Sequence, residues 1–250
     1  MEPCANCGRP YDSAYCPACG EKRRAPGIRL GAVVHEAVGT ITHAEGPFLH
    51  TIGSFLRSPG KLTAAFVAGK RKAFVPPVRY FLFGIGYYYL VRYLLHWDPV
   101  TSATIGTGAD PAANGLLEVN EWMTKHVNLL LPLLVVVLAT LDRLLFLRTA
   151  FTWTERVVHY FFAVGTYLLV ATTLLPLTLF FPAMVFVNFL VIIGILIWAA
   201  ISLHRGSTWS VVKAVLMVPI GFWIYVVMST IAVAIMLGVP LAEVFARPTP

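Results

Sequence analysis

Long apolar runs dominate the chain from residue 78 onward. The hydrocarbon core of a bilayer is about 30 Å thick, so a helix needs roughly 20 apolar residues to cross it. Of the 250 residues, 58% are hydrophobic and 12% are charged, about half the charged fraction of a typical soluble domain. This composition excludes a soluble enzyme, a disordered tail and a coiled coil. The chain is predicted to be an all-α integral membrane protein with about five transmembrane helices, at residues 78–95, 127–147, 157–180, 183–203 and 211–237.

Three zones follow one another along the chain. Residues 1–24 are predicted to form a small N-terminal zinc ribbon, residues 25–77 an amphipathic and basic juxtamembrane region, and residues 78–250 a transmembrane helical bundle. The connection at 177–182 carries no charge, so it is either a tight turn between two spans or part of a re-entrant unit.

The distribution of basic residues predicts the orientation of the spans. Lys and Arg are enriched in the cytoplasmic loops of membrane proteins. One side of the predicted bundle receives Lys61, Lys70, Arg71, Lys72, Arg79, Arg148, Arg156, Arg205 and Lys213. The opposite side receives the acidic loop 96–126, which contains one lysine, and the short tail. We therefore expect a cytoplasmic N-terminus and a C-terminus on the far side of the membrane.

All four cysteines lie in the first 19 residues, as Cys4-Ala-Asn-Cys7-Gly8 and Cys16-Pro-Ala-Cys19-Gly20. Zinc takes four ligands in a tetrahedron, and two residues between cysteines allow one tight turn to direct both sulfurs at one ion. Cysteines on the reducing, cytoplasmic side argue against disulfides, while an iron–sulfur or redox use remains an alternative. The sequence predicts one structural Zn²⁺ per chain, which would supply the folding energy of so small a unit.

A cluster of histidines and acids lies in the juxtamembrane region. Residues 28–43 are predicted to form an amphipathic helix that ends by Gly46-Pro47. Its candidate metal-binding or catalytic residues are His35, Glu36, His43 and Glu45. His35-Glu36 begins like an HExxH box, but Gly39 replaces the second histidine. The alternative is the polar face of a helix that lies on the membrane.

A second basic cluster precedes the first span. Lys70, Arg71, Lys72 and Arg79 are predicted to contact anionic lipid headgroups, at about 1 kcal/mol each. Alternatively, these residues only fix the orientation of the spans. No aromatic stacking platform accompanies them, which argues against nucleic acid as a partner.

Ionisable residues also occur inside the apolar runs, near the inner ends of the spans: Asp142, Arg143 and His159. Such groups cost several kcal/mol in a membrane unless they are paired or hydrated. Arg156 and His159 are the expected partners of Asp142. We interpret the group as a structural clasp between helices, with a proton or ion pathway as the alternative.

A series of motifs over residues 4–80 resembles DUF3667, a family of uncharacterised bacterial membrane proteins with an N-terminal zinc ribbon. The motifs are the double CxxCG head, His35-Glu36, Thr42-His43-Ala44-Glu45, Arg57-Ser58-Pro59-Gly60-Lys61, Gly69-Lys70-Arg71-Lys72 and Pro77-Val78-Arg79. The resemblance implies a bacterial inner (cytoplasmic) membrane location, with the C-terminus in the periplasm, and implies no known reaction. In architecture the chain is also similar to Yip1-type proteins, which have a cytoplasmic N-terminal region and five spans.

These features rank three functions. The first is a non-enzymatic scaffold or adaptor, whose zinc ribbon binds a cytoplasmic protein partner and whose basic segment binds membrane lipid. The second is an enzyme or lipid-handling protein at the inner interface that uses the His/Glu cluster. The third is a small transporter or channel with Asp142 and His159 on its route. A homo-oligomer is compatible with any of the three.

Overall fold

The computed structural model describes residues 2–4, 6–21, 45–97, 114–147, 149–181, 184–204 and 208–244. The first two ranges form a small head, in which strands β1 (Glu2–Pro3) and β2 (Pro10–Tyr11) pair antiparallel with Glu2 opposite Tyr11. Eight helices follow among the described residues. They are α1 (Glu45–Arg57), α2 (Pro59–Val67), α3 (Pro77–Leu95), α4 (Asn114–Leu145), α5 (Trp153–Phe180), α6 (Met184–Leu203), α7 (Thr208–Leu237) and α8 (Leu241–Val244). The predicted all-α membrane fold is confirmed.

Within the described ranges, four helices are long and apolar enough to cross a membrane: α4 from Asn128, α5, α6 from Phe186 and α7. The remaining predicted span is α3, which has sufficient length but carries five tyrosines and two arginines. The predicted number of about five spans is therefore close to the four that meet both criteria. Helices α5 and α6 are separate, with residues 181–183 between them.

Helix α4 begins earlier than expected. Residues 114–126 were predicted to belong to a long loop, but they are helical, and His126 marks a kink at φ −121° and ψ 15°. The segment before the kink is helical because its apolar side has a partner. Val119 is fully buried and, with Trp122 and Met123, packs against Val233 and Ala234 of α7.

Helix α5 is the central helix of the bundle, with 56% of its length buried against 28% for α7. It begins with a capping box, in which Thr152 accepts from the Glu155 amide and the Glu155 side chain accepts from the Thr152 amide. Helix α3 packs tightly along it. A Cβ added to Gly165 would lie 2.7 Å from the Tyr80 ring, so a larger residue does not fit without displacing Tyr80.

Helices α1 and α2 and the connection 68–76 form a unit that we call the cap (residues 45–76). The predicted helix 28–43 lies outside the described residues, so its expected end by Gly46-Pro47 stays a prediction, and both of these residues lie in the first turn of α1. Proline is tolerated in the first turn of a helix, where its missing N–H has no partner to lose. Ser58 separates α1 from α2, and its amide still donates to the Ser54 carbonyl at 3.0 Å.

Helix α2 lies across one end of the bundle, which we call the capped end. The Gly60 amide donates to the Ser202 hydroxyl of α6 at 3.0 Å. A Cβ at Gly60 would lie 2.2 Å from the Ser202 carbonyl oxygen, so only glycine allows this approach. Three residues further on, Thr63 contacts His159 of α5. The cap is thus packed onto the helices rather than held away from them.

Candidate metal centre and buried polar clasp

The two CxxC segments of the head fold in the same way. The Cys4 carbonyl accepts from the Gly8 amide at 2.9 Å, and the Cys16 carbonyl accepts from the Gly20 amide at 2.7 Å. Gly8 and Gly20 have φ of +76° and +69°, in the left-handed region that favours glycine. The glycine after each cysteine pair is therefore required by the turn, and each turn directs its two sulfurs inward.

The four sulfurs lie within 4.8 Å of one another, and together they could hold a metal ion. The Cys4–Cys19 and Cys7–Cys16 sulfurs are both 3.6 Å apart. Sulfurs bound at about 2.3 Å around a tetrahedral zinc ion lie about 3.8 Å from one another, so the donor set fits such an ion. A disulfide requires about 2.05 Å, so these pairs are not bridged.

Local interactions give the thiols of Cys7 and Cys19 different pKa values. The backbone amide of Glu21, and after it the side chain of Asn6 and the neighbouring sulfurs, lower the pKa of Cys19 to about 6. The backbone of Arg9 lowers the pKa of Cys7, but desolvation and the other three sulfurs outweigh it and raise this pKa to about 11. Four thiolates at such short distances repel one another, and a bound dication would remove that repulsion.

A lysine of the cap contacts the second CxxC turn. The Lys72 ammonium donates to the Cys19 carbonyl, and the Lys72 amide donates to Glu21 Oε2 at 2.9 Å. From the sequence, Lys72 was expected to bind lipid headgroups or only to fix the orientation of the spans, and its contact with the head was missed. The basic run at 22–24, which stands next to the cysteines in the sequence, lies outside the described residues.

The predicted His/Glu cluster falls mostly outside the described residues. His35, Glu36 and His43 are not among them, and Glu45 is described only as the first residue of α1. The nearby His50 has its Nδ1 3.0 Å from the Ala73 carbonyl, and its ring stacks on Phe74. The role of the cluster stays a prediction.

The basic cluster of the cap lies in and beside the turn that leads to α3. Lys70 and Lys72 are exposed, while Arg71 and Arg79 are half-buried. The Arg71 guanidinium stands 5.7 Å from the centre of the Phe66 ring. These side chains thus lie at the capped end of the bundle, close to the first turn of α3.

Asp142 is the centre of a buried polar group at the capped end, which we call the clasp (Asp142, Arg156, Tyr160 and His204). Its carboxylate forms an ion pair with the Arg156 guanidinium. It also accepts from the Tyr160 hydroxyl and from His204 Nε2, each at 2.8 Å. Asp142, Arg156 and Tyr160 are fully buried, and His204 is 6% exposed. The clasp therefore joins α4, α5 and the end of α6.

Two basic residues also interact with the end of α4. Arg156 Nη2 donates to the Phe146 carbonyl at 3.0 Å, and Lys213 Nζ donates to the Leu145 carbonyl at 3.1 Å. Carbonyls at the end of a helix lack intrahelical partners and carry partial negative charge. These two cations satisfy them, and the Phe146 ring stacks on His204 with centroids 3.8 Å apart.

The three predicted intramembrane residues have different surroundings in the structure. Arg156, one of the two expected partners, does pair with Asp142. His159 does not, and its Nδ1 instead lies 2.7 Å from the Thr63 hydroxyl. Arg143 is exposed. Tyr160 and His204 were missed, although the position of Asp142 in an apolar run showed that it needed hydrogen-bond donors from other helices.

The fold and the clasp define an α-helical membrane protein, and its tetracysteine head could hold a metal ion. Residues 45–88 match the family model DUF3667, described as a protein of unknown function. The predicted resemblance to DUF3667 is thereby confirmed over the cap and the first part of α3. No curated protein and no solved structure matches the chain.

Proposed function

We propose that this protein is a membrane-embedded scaffold whose head holds one structural zinc ion and binds a cytoplasmic protein partner. The observation that carries the proposal is the meeting of all four cysteine sulfurs within 4.8 Å. Four protein ligands complete the tetrahedron of zinc and leave no position for a substrate, as is typical of structural sites. With zinc bound, the head is a rigid surface that does no chemistry itself.

The buried clasp favours a scaffold function rather than a transporter or channel. Its carboxylate is neutralised by Arg156 and accepts from two further donors, and no part of Asp142 or Arg156 reaches solvent. An ion or proton route needs polar groups that are accessible and exchangeable. Groups that satisfy one another in a dry interior instead fix the relative positions of the helices.

The exposed part of the head supplies the partner surface in this proposal. Tyr15 is 56% exposed, and tyrosine is among the residues enriched in the energetically important part of interfaces. Anionic lipid would bind beside it, at the exposed Lys70 and its neighbours, at about 1 kcal/mol per cation. In this proposal the head and the cap face the cytoplasm of a bacterial inner membrane.

Metal analysis of the detergent-purified protein tests the zinc part. We expect one zinc per chain, and none in the Cys16→Ser/Cys19→Ser variant. Absence of zinc from the native protein would contradict the proposal. A second metal that survives loss of these cysteines would favour an enzyme built on the His/Glu cluster.

In-cell photocrosslinking from position 15 tests the partner part. We expect a discrete crosslinked protein that disappears when Cys16 and Cys19 are replaced by serine. A probe at Tyr93, which is 76% exposed at the other end of α3, is the matched control. The same product from both positions, or from the cysteine variant, would contradict a partner bound by the folded head.

A further inference from the structure

The second CxxC turn of the head and the basic turn of the cap form a contact that reaches directly to the metal ligands. We propose that residues 19–21 are a docking element for the cap, so that metal occupancy of the head controls the order of the turn at residues 69–75. This inference rests on the proposed metal site and adds a regulatory connection from that site to the DUF3667 segment.

The contact itself has three parts. The Lys72 amide donates to Glu21 Oε2 at 2.9 Å, and Glu21 is only 5% exposed. The Lys72 ammonium donates to the carbonyl of Cys19. Between them, a Cβ at Gly20 would lie 2.6 Å from Lys72 Nζ, so the backbone of the head approaches the lysine closely. Each part depends on the conformation of residues 19–21.

That conformation is set by the metal ligands. Cys19 supplies one sulfur, and the Cys16 amide donates to the Glu21 carbonyl at 2.8 Å. A metal held by Cys16 and Cys19 would fix the turn from which the Glu21 carboxylate projects. A head of this size has too small a core to keep that turn without the metal. Loss of the metal therefore removes the acceptor that holds the Lys72 amide.

The charges favour docking of the loaded head in particular. Four thiolates around a divalent ion leave a formal charge of −2, and the ammonium group of Lys72 contacts the second CxxC turn. Metal loading and docking thus support each other.

On its other side, the same turn is held by α1. His50 Nδ1 lies 3.0 Å from the Ala73 carbonyl, and the Val75 amide donates to the Thr51 hydroxyl at 3.0 Å. Residues 72–75 are therefore clamped between the head and α1, and Pro76 connects them to Pro77, the first residue of α3. A change in the head is passed to the entrance of α3 through four residues.

Hydrogen exchange on the full-length protein in detergent tests the proposal. Removal of zinc by a chelator is expected to accelerate exchange in residues 69–75 by about tenfold or more, the loss expected for a hydrogen bond to a carboxylate. Exchange in residues 60–66, which pack on α5 and α6, is expected to change little. Unchanged exchange of residues 69–75 after confirmed zinc removal would overturn the proposal.

Glu21→Ala separates docking from metal binding, because it removes the acceptor and keeps all four cysteines. We expect this variant to bind one zinc and still show fast exchange at residues 69–75. Coupling is reciprocal, so its zinc affinity is expected to fall by up to the factor by which zinc loading strengthens docking in the native protein. Glu118→Ala, an exposed acid on α4, is the matched control and is expected to change neither quantity.

The outcomes distinguish the two proposals. If the native protein holds no metal, the proposed function fails. If it holds zinc, but Glu21→Ala exchanges like the native protein at residues 69–75, only the docking proposal fails.

Discussion

At the scale of single residues, Asp142 carries the largest energetic consequence. Replacing Asp142 with alanine would leave the Arg156 guanidinium buried without its counter-charge, and breaking a buried pair in this way costs about 3–5 kcal/mol. We expect Asp142→Ala to lower the thermal unfolding midpoint in detergent strongly. Arg143→Ala is the control, because this neighbour is exposed. Equal midpoints for the two variants would contradict the role of the clasp.

Two threonines of α5 give a second test at this scale. The Thr166 hydroxyl is 3.0 Å from the Tyr80 hydroxyl and donates to the Phe162 carbonyl, whereas the buried Thr172 hydroxyl has no hydrogen-bond partner among the described residues. When a buried hydroxyl has no hydrogen-bond partner, its replacement by the methyl group of valine breaks no hydrogen bond and loses no stability from one. We expect Thr172→Val to keep or raise the unfolding midpoint and Thr166→Val to lower it. The reverse order of the two unfolding midpoints would contradict the hydrogen bonding described for Thr166 and Thr172.

The candidate metal ligands predict a pH dependence of zinc binding. The pKa of Cys7 is raised to about 11, so this thiol is protonated at neutral pH without metal and must release its proton when zinc binds. The pKa of Cys19 is lowered to about 6, so zinc must displace a proton from this thiol only below about pH 6. Zinc affinity is therefore expected to rise with pH, by roughly tenfold per unit for each proton released. Chelator competition at pH 6, 7 and 8 measures this, and a constant affinity would contradict it.

At the scale of helices, the cap depends on one close approach. Gly60 places α2 against the backbone of α6, where an added Cβ would lie 2.2 Å from the Ser202 carbonyl oxygen. We expect Gly60→Ala to destabilise the protein by roughly 1–3 kcal/mol, since the backbones must separate to admit the methyl group. Gly53→Ala, in α1 and facing open space, is expected to be neutral or stabilising by about 0.5–1 kcal/mol. Thermal melts compare them, and a harmless Gly60→Ala would contradict the packing of α2.

Local patterns predicted the helices well and their contacts poorly. Apolar runs revealed α3 to α7. Proline both ends helices and begins them, and Pro47 lies in the first turn of α1. Residues 114–126 were missed because the partner of their apolar side, on α7, is remote in sequence.

The same distinction applies to the candidate site. The spacing of the cysteines identified the four candidate metal ligands, since all four belong to two short local motifs. Asp142 was visible as a charge in an apolar run, and Arg156 as one candidate partner. Lys72 and His204 reach their partners across 53 and 62 positions of sequence. No periodicity or spacing connects residues at such separations, so only the fold reveals these contacts.

At the scale of the whole molecule, α3 decides the topology. Tyr80 pairs with Thr166 at 3.0 Å and Tyr87 with Thr173 at 3.4 Å, and both pairs are 86 positions apart. Helix α3 therefore runs parallel to α5 and in register with it, over about 28 Å for 19 residues. Helix α3 is too polar to be among the four apolar helices described above. Because it runs parallel to α5, we nevertheless expect it to cross the membrane beside α5.

Reporter fusions at the two termini test this expectation. Five crossings place residues 1 and 250 on opposite sides, and we expect the N-terminal reporter to be active in the cytoplasm and the C-terminal reporter in the periplasm. Reporters active on the same side would show that α3 does not cross.

The contact between Gly60 and Ser202 also sets an order of events during synthesis. The two residues are 142 positions apart, and a ribosome adds about 5–20 residues per second, so roughly 7 to 30 s separate their appearance. During that interval Gly60, Leu62 and Phe66, which are buried in the finished protein, lack the helix on which α2 lies. The family segment at residues 45–88 is thus made before α6 and reaches its final place only after α6 has formed. Its apolar side needs shelter from the insertion machinery or from lipid until α6 has entered the membrane.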